Sequence, residues 1–282
     1  MESPVKRIFE IASAGLLLGW IGLLAATPAH AQEKSRLDEV LARGKLIVGV
    51  TSEGPPFGFV DEKGELVGFD IDIARLIAKG LLGDPNKIEF VKQGSAARWP
   101  NVNTGKVDFG IQITTIFPER MLQVAFTRSY IDSGIAVLVK KDSKIVKPTD
   151  LNSEAVTVSH LSTPVAEERA KRYYPKAKLL VFDSVNGQVT AVRTGRADAA
   201  VTDLPVTLWY AKQNPDLRSL EQIIGAPTNN AIFLKHGDFK WWLVLDTMVS
   251  EMLGGVTFED YSEIYRKWFG TEPKHAKYYI AR

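Results

Sequence analysis

Cysteine is absent from the 282 residues, and histidine is scarce, with four (His30, His160, His236 and His275). The first absence excludes disulfides, thiolate metal sites, iron–sulfur clusters and cysteine nucleophiles together. The second, with no pair at metal-ligand spacing, excludes a histidine-held zinc or iron centre, so neither metal nor cofactor is expected. An excess of charge is also missing: 35 Lys and Arg stand against 33 Asp and Glu, a formal +2. Nothing in that balance drives binding to phosphate backbones, and nucleic acid is excluded as a partner. What is present, 45% hydrophobic residues with 22 Gly and 14 Pro, is the composition of a globular protein of one large domain or two ordinary ones.

The one long apolar run lies at the amino terminus. Lys6 and Arg7 precede Ile11–Ala26, and Thr27-Pro28-Ala29-His30-Ala31 follows, with small residues at positions suited to a signal peptidase. This reads as a secretory signal peptide over residues 1–31, cleaved after Ala31. The alternative, a retained anchor, needs ~20 apolar residues to span a bilayer, and this run is shorter and ends at Pro28. The mature chain from Gln32 is therefore expected to be periplasmic. Without a cysteine at the cleavage site it is expected to diffuse freely rather than carry a lipid.

Along the mature chain strands alternate with helices. A helix over 35–43 leads to an apolar β-branched run, 45–50, and Gly54-Pro55-Pro56 then breaks the chain. Asp70 is placed to cap a helix whose apolar residues Ile73, Ala74, Ile77, Ala78 and Leu81 share one face. Further strands are expected over 88–91, 107–113, 135–139, 156–158, 179–182 and 199–202, with helices over 99–104, 164–173, 185–194 and 204–214. The alternation predicts an α/β fold with mainly parallel sheets. The β-α-β pattern begun at Lys45 restarts near Ala155 without a close sequence repeat, which suggests two lobes. Ligands of open α/β sheets bind at the carboxyl ends of strands, which gathers 51–57, 113–120, 159–163 and 202–203 about one cleft. Gly64, Gly68 and Gly105 are read as turn residues, and Trp241, Trp242 and Trp268 as packing.

Several segments, in order, then carry a resemblance. They are Gly44-Lys45-Leu46-Ile47-Val48-Gly49, Pro55-Pro56-Phe57, Gly68-Phe69-Asp70-Ile71-Asp72, Thr104-Gly105-Lys106-Val107-Asp108, Thr115-Ile116-Phe117-Pro118-Glu119-Arg120, Gly195 to Asp203, and Tyr265-Arg266-Lys267-Trp268-Phe269-Gly270. Together they resemble the periplasmic polar amino-acid-binding proteins of ABC importers, solute-binding protein family 3, of glutamate/aspartate type. The resemblance implies a two-lobed Venus-flytrap fold with two hinge crossings. Lobe 1 would comprise 32–130 and 231–282, lobe 2 would comprise 135–226, and the hinge would be 131–134 and 227–230. It implies a monomer that captures an amino acid by closure and hands it to the membrane subunits of an importer.

A zwitterion needs a cation and donors for its carboxylate and acceptors for its ammonium. Arg120 can supply a two-pronged donor, and it follows Thr115 at the spacing of the family's Thr-x-x-x-x-Arg element. Thr115 would add a donor, and the Ile113 main chain an acceptor. Ser162 and Thr163, just before Pro164, can offer backbone N–H groups to the same carboxylate or simply cap the helix. Asp203 matches the family's acceptor for the ammonium, against a plain helix-capping role. Ser95-Ala96-Ala97-Arg98 resembles the element that faces a distal carboxylate in acidic-substrate members; the alternative has Arg98 in solvent or paired with an acid such as Glu53. Thr51 stands where some such members carry a second Arg. His160 is read as a neutral hydrogen-bonding group of the pocket, and Phe57 as a wall.

The chain is also similar to periplasmic cyclohexadienyl (arogenate) dehydratases, whose acid would align with Val206 here, so no enzymatic activity is expected. A third reading is a ligand sensor that docks on a membrane receptor.

Overall fold

The computed structural model describes residues 34–220 and 222–273; the expected signal peptide lies outside the described residues. The chain runs α1 (Arg36–Arg43), β1 (Leu46–Val50), β2 (Glu53–Gly54), β3 (Gly58–Val60), β4 (Leu66–Val67), α2 (Phe69–Leu82), β5 (Ile88–Lys92), α3 (Arg98–Asn103), β6 (Phe109–Gly110) and α4 (Pro118–Met121). A long strand, β7 (Ala125–Lys140), leads to a 3₁₀ turn at Pro148–Leu151, β8 (Thr157–Leu161), α5 (Pro164–Tyr173), β9 (Lys178–Phe182), α6 (Val185–Arg193), β10 (Ala199–Asp203) and α7 (Leu204–Gln213). After β11 (Leu217–Ser219) and β12 (Ile224–Leu234), helices α8 (Phe239–Gly254) and α9 (Phe258–Phe269) follow.

The helix boundaries have local causes. Ser35 accepts from the Leu37 N–H to start α1, and Gly44, at φ 68°, stops it. The Thr163 hydroxyl accepts from Ala166 N–H, with Pro164 in the first turn of α5, and Ser184 caps α6 through Gly187 N–H. Asp70 does not cap α2. Gly68 holds that position, and Asp70, the second residue of the helix and fully buried, directs its carboxylate elsewhere.

One sheet, in the order β5-β1-β6-β12-β7-β10-β8-β9, passes through both lobes, with β11 also on β7. Its flanks are parallel (β1 with β5 and β6, β8 with β9 and β10). Its centre is antiparallel, because β7 and β12 pair with each other and with β6, β10 and β11. The expectation of mainly parallel sheets is thereby corrected to a mixed one. Two strands that cross between lobes in opposite directions must pair antiparallel where they meet. The segment expected as a strand over 107–113 is a strand only at Phe109–Gly110, and the run 135–139 is the end of the 16-residue β7.

The two halves repeat in a short motif as well as in the order of their elements. Thr104-Gly105-Lys106-Val107-Asp108 after α3 corresponds to Thr194-Gly195-Arg196-Ala197-Asp198 after α6. Both glycines have positive φ, 76° and 74°. Asp108 donates its N–H to Ile47 O (2.7 Å) and accepts Ile47 N–H on its carboxylate (2.7 Å). Asp198 makes the same pair with Thr157, at 2.8 and 2.7 Å. Each aspartate thus ties the strand it precedes to the first strand of its half, β1 or β8, and the carboxyl ends of both sets converge on one cleft.

The larger hydrophobic core packs α2, α8 and α9 on β1, β6 and β12, and a smaller one lies where β8, β10 and the end of β7 meet α5. The three tryptophans pack as expected, each with its indole N–H satisfied. Trp241 donates to Asp108 O (3.0 Å), Trp242 to Phe126 O (2.7 Å) and Trp268 to the Asp72 carboxylate (2.8 Å).

Candidate ligand-binding cleft

Between the lobes lie two neighbouring cavities that share Arg98, Ile113, Leu161 and Asp203 in their walls. The wider, about 280 Å³, is lined from the first half by Thr51, Gln93, Ser95 and Gln112, and from the second by Asp183 and Ser184. The inner one, about 40 Å³, is closed by Thr115, Phe117, Arg120, Thr163 and Arg169.

Arg120 leaves the short helix α4 with its guanidinium buried and directed back at the preceding loop. Its Nη1 donates to Thr115 O (2.8 Å), and its charge lies 5.1 Å from the Phe117 ring. Burial pulls its pKa down to about 10, with Asp203 opposing that shift and Arg169 adding to it. Asp203 ends β10 at the first boundary of α7, yet its side chain makes no cap. Instead its Oδ1 accepts from Ser133 Oγ (3.1 Å) and Asn230 Nδ2 (3.2 Å), from the two crossing strands. Burial raises its carboxyl above the usual range, and Asn230, Arg169, Ser133 and Arg120 counter it. The plain capping role weighed from sequence is not the one this side chain plays.

Arg98, 5% exposed, lies with its guanidinium carbon 4.2 Å over the Trp99 ring. It is in neither solvent nor an ion pair with Glu53. Its Nε is buried without a hydrogen-bond partner, and burial, reinforced by Arg120 and opposed by Asp203, lowers its pKa well below the ordinary value. Since a guanidinium does not give up its proton in practice, that shift expresses a demand for an anion or carbonyl beside it.

Ile113 lines both cavities and sits at φ 46°, a left-handed conformation disfavoured for a β-branched residue. Thr51 and Ser95 line the wider cavity, half-buried. Thr115 lines the inner one and bridges to Asn230.

Four sequence expectations are corrected. Phe57 is not a wall: it is fully buried, with its ring centroid 5.9 Å from those of Phe69 and Phe269, because the turn at Pro55-Pro56 directs it into the core. His160 lines neither cavity; it is buried within β8 opposite Val181, its Nδ1 2.9 Å from Leu161 O. Strand alternation turns the next residue, Leu161, to the cleft instead. Ser162 is exposed and commits its N–H to Phe182 O (2.8 Å). Thr163 does reach the inner cavity, but its N–H donates to Leu161 O (2.8 Å) and its hydroxyl caps α5, so the capping alternative describes it.

Arg169, Phe117, Gln93 and Gln112 escaped the sequence reading. Arg169 extends from α5 to within 5.6 Å of the Phe117 ring. Helical spacing carried the signal for it, since Ala166 and Ala170 are buried and a residue three after Ala166 shares their face. Gln93 and Gln112 donate to one another's oxygens, Gln93 Nε2 to Gln112 Oε1 (3.0 Å) and Gln112 Nε2 to Gln93 O (3.2 Å). Gly49 leaves the room for this pair, since a Cβ there would lie 2.3 Å from Gln93 Nε2; no local pattern announces a contact across two strands.

Comparison with known proteins identifies the family. Residues 46–271 match the model of the bacterial extracellular solute-binding proteins, family 3. The chain is 38% identical over 187 residues to the glutamine-binding protein of Geobacillus stearothermophilus, covering 66% of this chain and 71% of that one. It is 30% identical over 281 residues to the ABC transporter glutamine-binding protein GlnH of Bacillus subtilis, covering 95% and 99%. Among solved structures, the cysteine-binding protein of Campylobacter jejuni superposes with a TM-score of 0.77 at 30% identity, over 86% of this chain and 97% of that one. An ancestral amino acid-binding protein described as a precursor of cyclohexadienyl dehydratase superposes at 0.76 and 35%, over 83% and 100%. With its two-lobed α/β architecture and a cleft whose walls carry opposite charges, this chain belongs to the bacterial extracellular solute-binding proteins, family 3.

Proposed function

We propose that the protein captures a polar amino acid between its lobes outside the cytoplasm and delivers it to an ABC import permease. The carrying observation is the pairing of Arg120 and Thr115 on one wall with Asp203 on the other, within a single buried cavity. That is the charge complement of an α-amino acid's carboxylate and ammonium. In this reading the hinge is 131–134 with 227–230, and the register of β7 on β12 supports it: Ser133 pairs with Thr228, Asp132 with Asn229 and Ile131 with Asn230, with irregularities on either side. Lobe 1 is then 32–130 with 231–282, and lobe 2 is 135–226. The chain acts as a monomer reaching the periplasm through its cleaved signal peptide.

Arg98 supports a ligand with a distal carboxylate or carbonyl. With Arg120 and Arg169 it makes three guanidiniums about the inner cavity against the one carboxylate of Asp203, which favours glutamate or aspartate. The Gln93–Gln112 pair and the glutamine-binding relatives favour glutamine. Calorimetry on ligand-stripped protein decides between them. Binding of glutamate or aspartate near ~1 μM, about −8 kcal/mol, lost in both Arg98→Ala and Arg120→Ala, supports the acidic ligand. Glutamine binding that survives Arg98→Ala supports the amide, and no amino-acid binding overturns the function.

The dehydratase reading is weaker. Its acid would stand at Val206, which is fully buried in the apolar core and cannot donate a proton. Turnover of arogenate by the wild-type protein would restore that reading.

A further inference from the structure

Asp70 is a fully buried carboxylate in the first turn of α2, outside the lining of both cavities. Its Oδ2 accepts the Ile113 N–H (3.0 Å) and its Oδ1 accepts the Tyr130 hydroxyl (2.8 Å). Ile113 holds the left-handed backbone noted above, and no described residue donates a hydrogen bond to its carbonyl. Tyr130 belongs to the crossing strand β7, three residues before Ser133, the donor to Asp203. Tyr261 of α9 in turn donates to Tyr130 O (2.8 Å). One carboxylate therefore joins α2, the loop after β6 and β7 at the point where the cleft wall has its least favourable backbone.

We propose that Asp70 is a positioning residue: by holding the Ile113 N–H it fixes that residue in its left-handed conformation and leaves the Ile113 carbonyl free to accept the ligand's ammonium. This rests on the amino-acid reading above. A β-branched residue leaves φ near +46° spontaneously, and the desolvated side-chain acceptor of Asp70 is the interaction that opposes the departure, since losing it would leave the Ile113 N–H buried and unpaired. Glycine, which adopts such φ freely, would need no such tether.

The test compares wild type, Asp70→Asn, Asp70→Ala and Asp70→Ala with Ile113→Gly by calorimetry. The probes are L-glutamate, L-glutamine and the 2-hydroxy acid counterpart of whichever binds, with near-UV circular dichroism as a control for folding. Asp70→Ala is expected to weaken the amino acid by about tenfold, the scale of one lost buried hydrogen bond, and the hydroxy acid by less than about twofold. Asp70→Asn keeps an acceptor for Ile113 N–H and is expected to stay within about threefold of wild type, and adding Ile113→Gly to Asp70→Ala is expected to recover part of the loss. If wild type binds and Asp70→Ala binds as well, or weakens both ligand types equally, or if Asn fails as Ala does, the positioning role is overturned while the amino-acid reading stands. If wild type binds no amino acid, both fall.

Discussion

Arg98 illustrates how a buried charge separates stability from function. Unpaired among the described residues and with an orphaned Nε, it costs the ligand-free protein free energy that a ligand's anionic group can offset. Arg98→Met, which keeps the packing on Trp99, is therefore expected to stabilise the ligand-free protein by ~1–3 kcal/mol in urea unfolding while reducing affinity for a distal carboxylate. Equal or lower stability would show that the charge is already compensated. Asp70 gives the complementary case in pH. Burial raises its carboxyl to about 7 from an ordinary 3.8, with Asp203 adding to the shift and the bonds from Tyr130 and Ile113 opposing it. The folded state then holds a proton that the unfolded state releases, so stability falls as pH rises from about 4 to about 7. The cost, on the order of a few kcal/mol, is absent below that window and fully present above it. Unfolding at pH 5 and pH 8 is expected to show a smaller loss in Asp70→Asn than in wild type; an identical loss would place the titration elsewhere.

Among the elements, α2 depends on a close backbone approach that its sequence only hints at. Gly68, its first boundary, has φ 142°, and a Cβ there would lie 2.1 Å from Phe57 O. Gly68→Ala is accordingly expected to destabilise by ~2–4 kcal/mol, since the clash is with backbone that cannot swing aside. Gly64→Ala provides the control. It also has positive φ, 84°, but meets open space, and is expected to cost only ~1 kcal/mol. Thermal unfolding separates the two, and equal losses would mean that φ alone, not the approach to Phe57, sets the cost. Both glycines were read from sequence as turn residues. The turn was legible because a Gly before an amphipathic run is a local signal, whereas the distance to Phe57 was not, because it is set by how β3 and α2 meet.

At the scale of the whole molecule, two aromatic contacts join the halves beside the cleft. Phe59 of β3 lies 5.7 Å from Trp209 of α7, and Arg169 of α5 lies 5.6 Å from Phe117. Trp209 lines neither cavity, so its contribution to binding must come through closure. Trp209→Ala is expected to raise the ligand dissociation rate about three- to tenfold in stopped-flow fluorescence, with the ranking of amino acids unchanged. Arg169→Ala is expected to change that ranking as well, weakening acidic ligands more than neutral ones, because it removes charge from the cavity along with the contact. An unchanged dissociation rate in Trp209→Ala would show that this pair does not report on closure.

Local signals in the chain sufficed for the alternation of strands and helices, the helix start at Ser35, the cap at Thr163, the core tryptophans and the choice of Arg120, Thr115, Arg98 and Asp203 as cleft candidates, because each depends on periodicity, turn chemistry or motif order within short spans. Packing between distant segments settled that β7 and β12 cross antiparallel, that Phe57 and His160 turn away from the cleft, and that Arg169 and the Gln93–Gln112 pair turn toward it. Those outcomes depend on which residues distant in sequence compete for the same buried space and the same hydrogen-bond partners, and that competition is resolved only when both halves of the chain have packed.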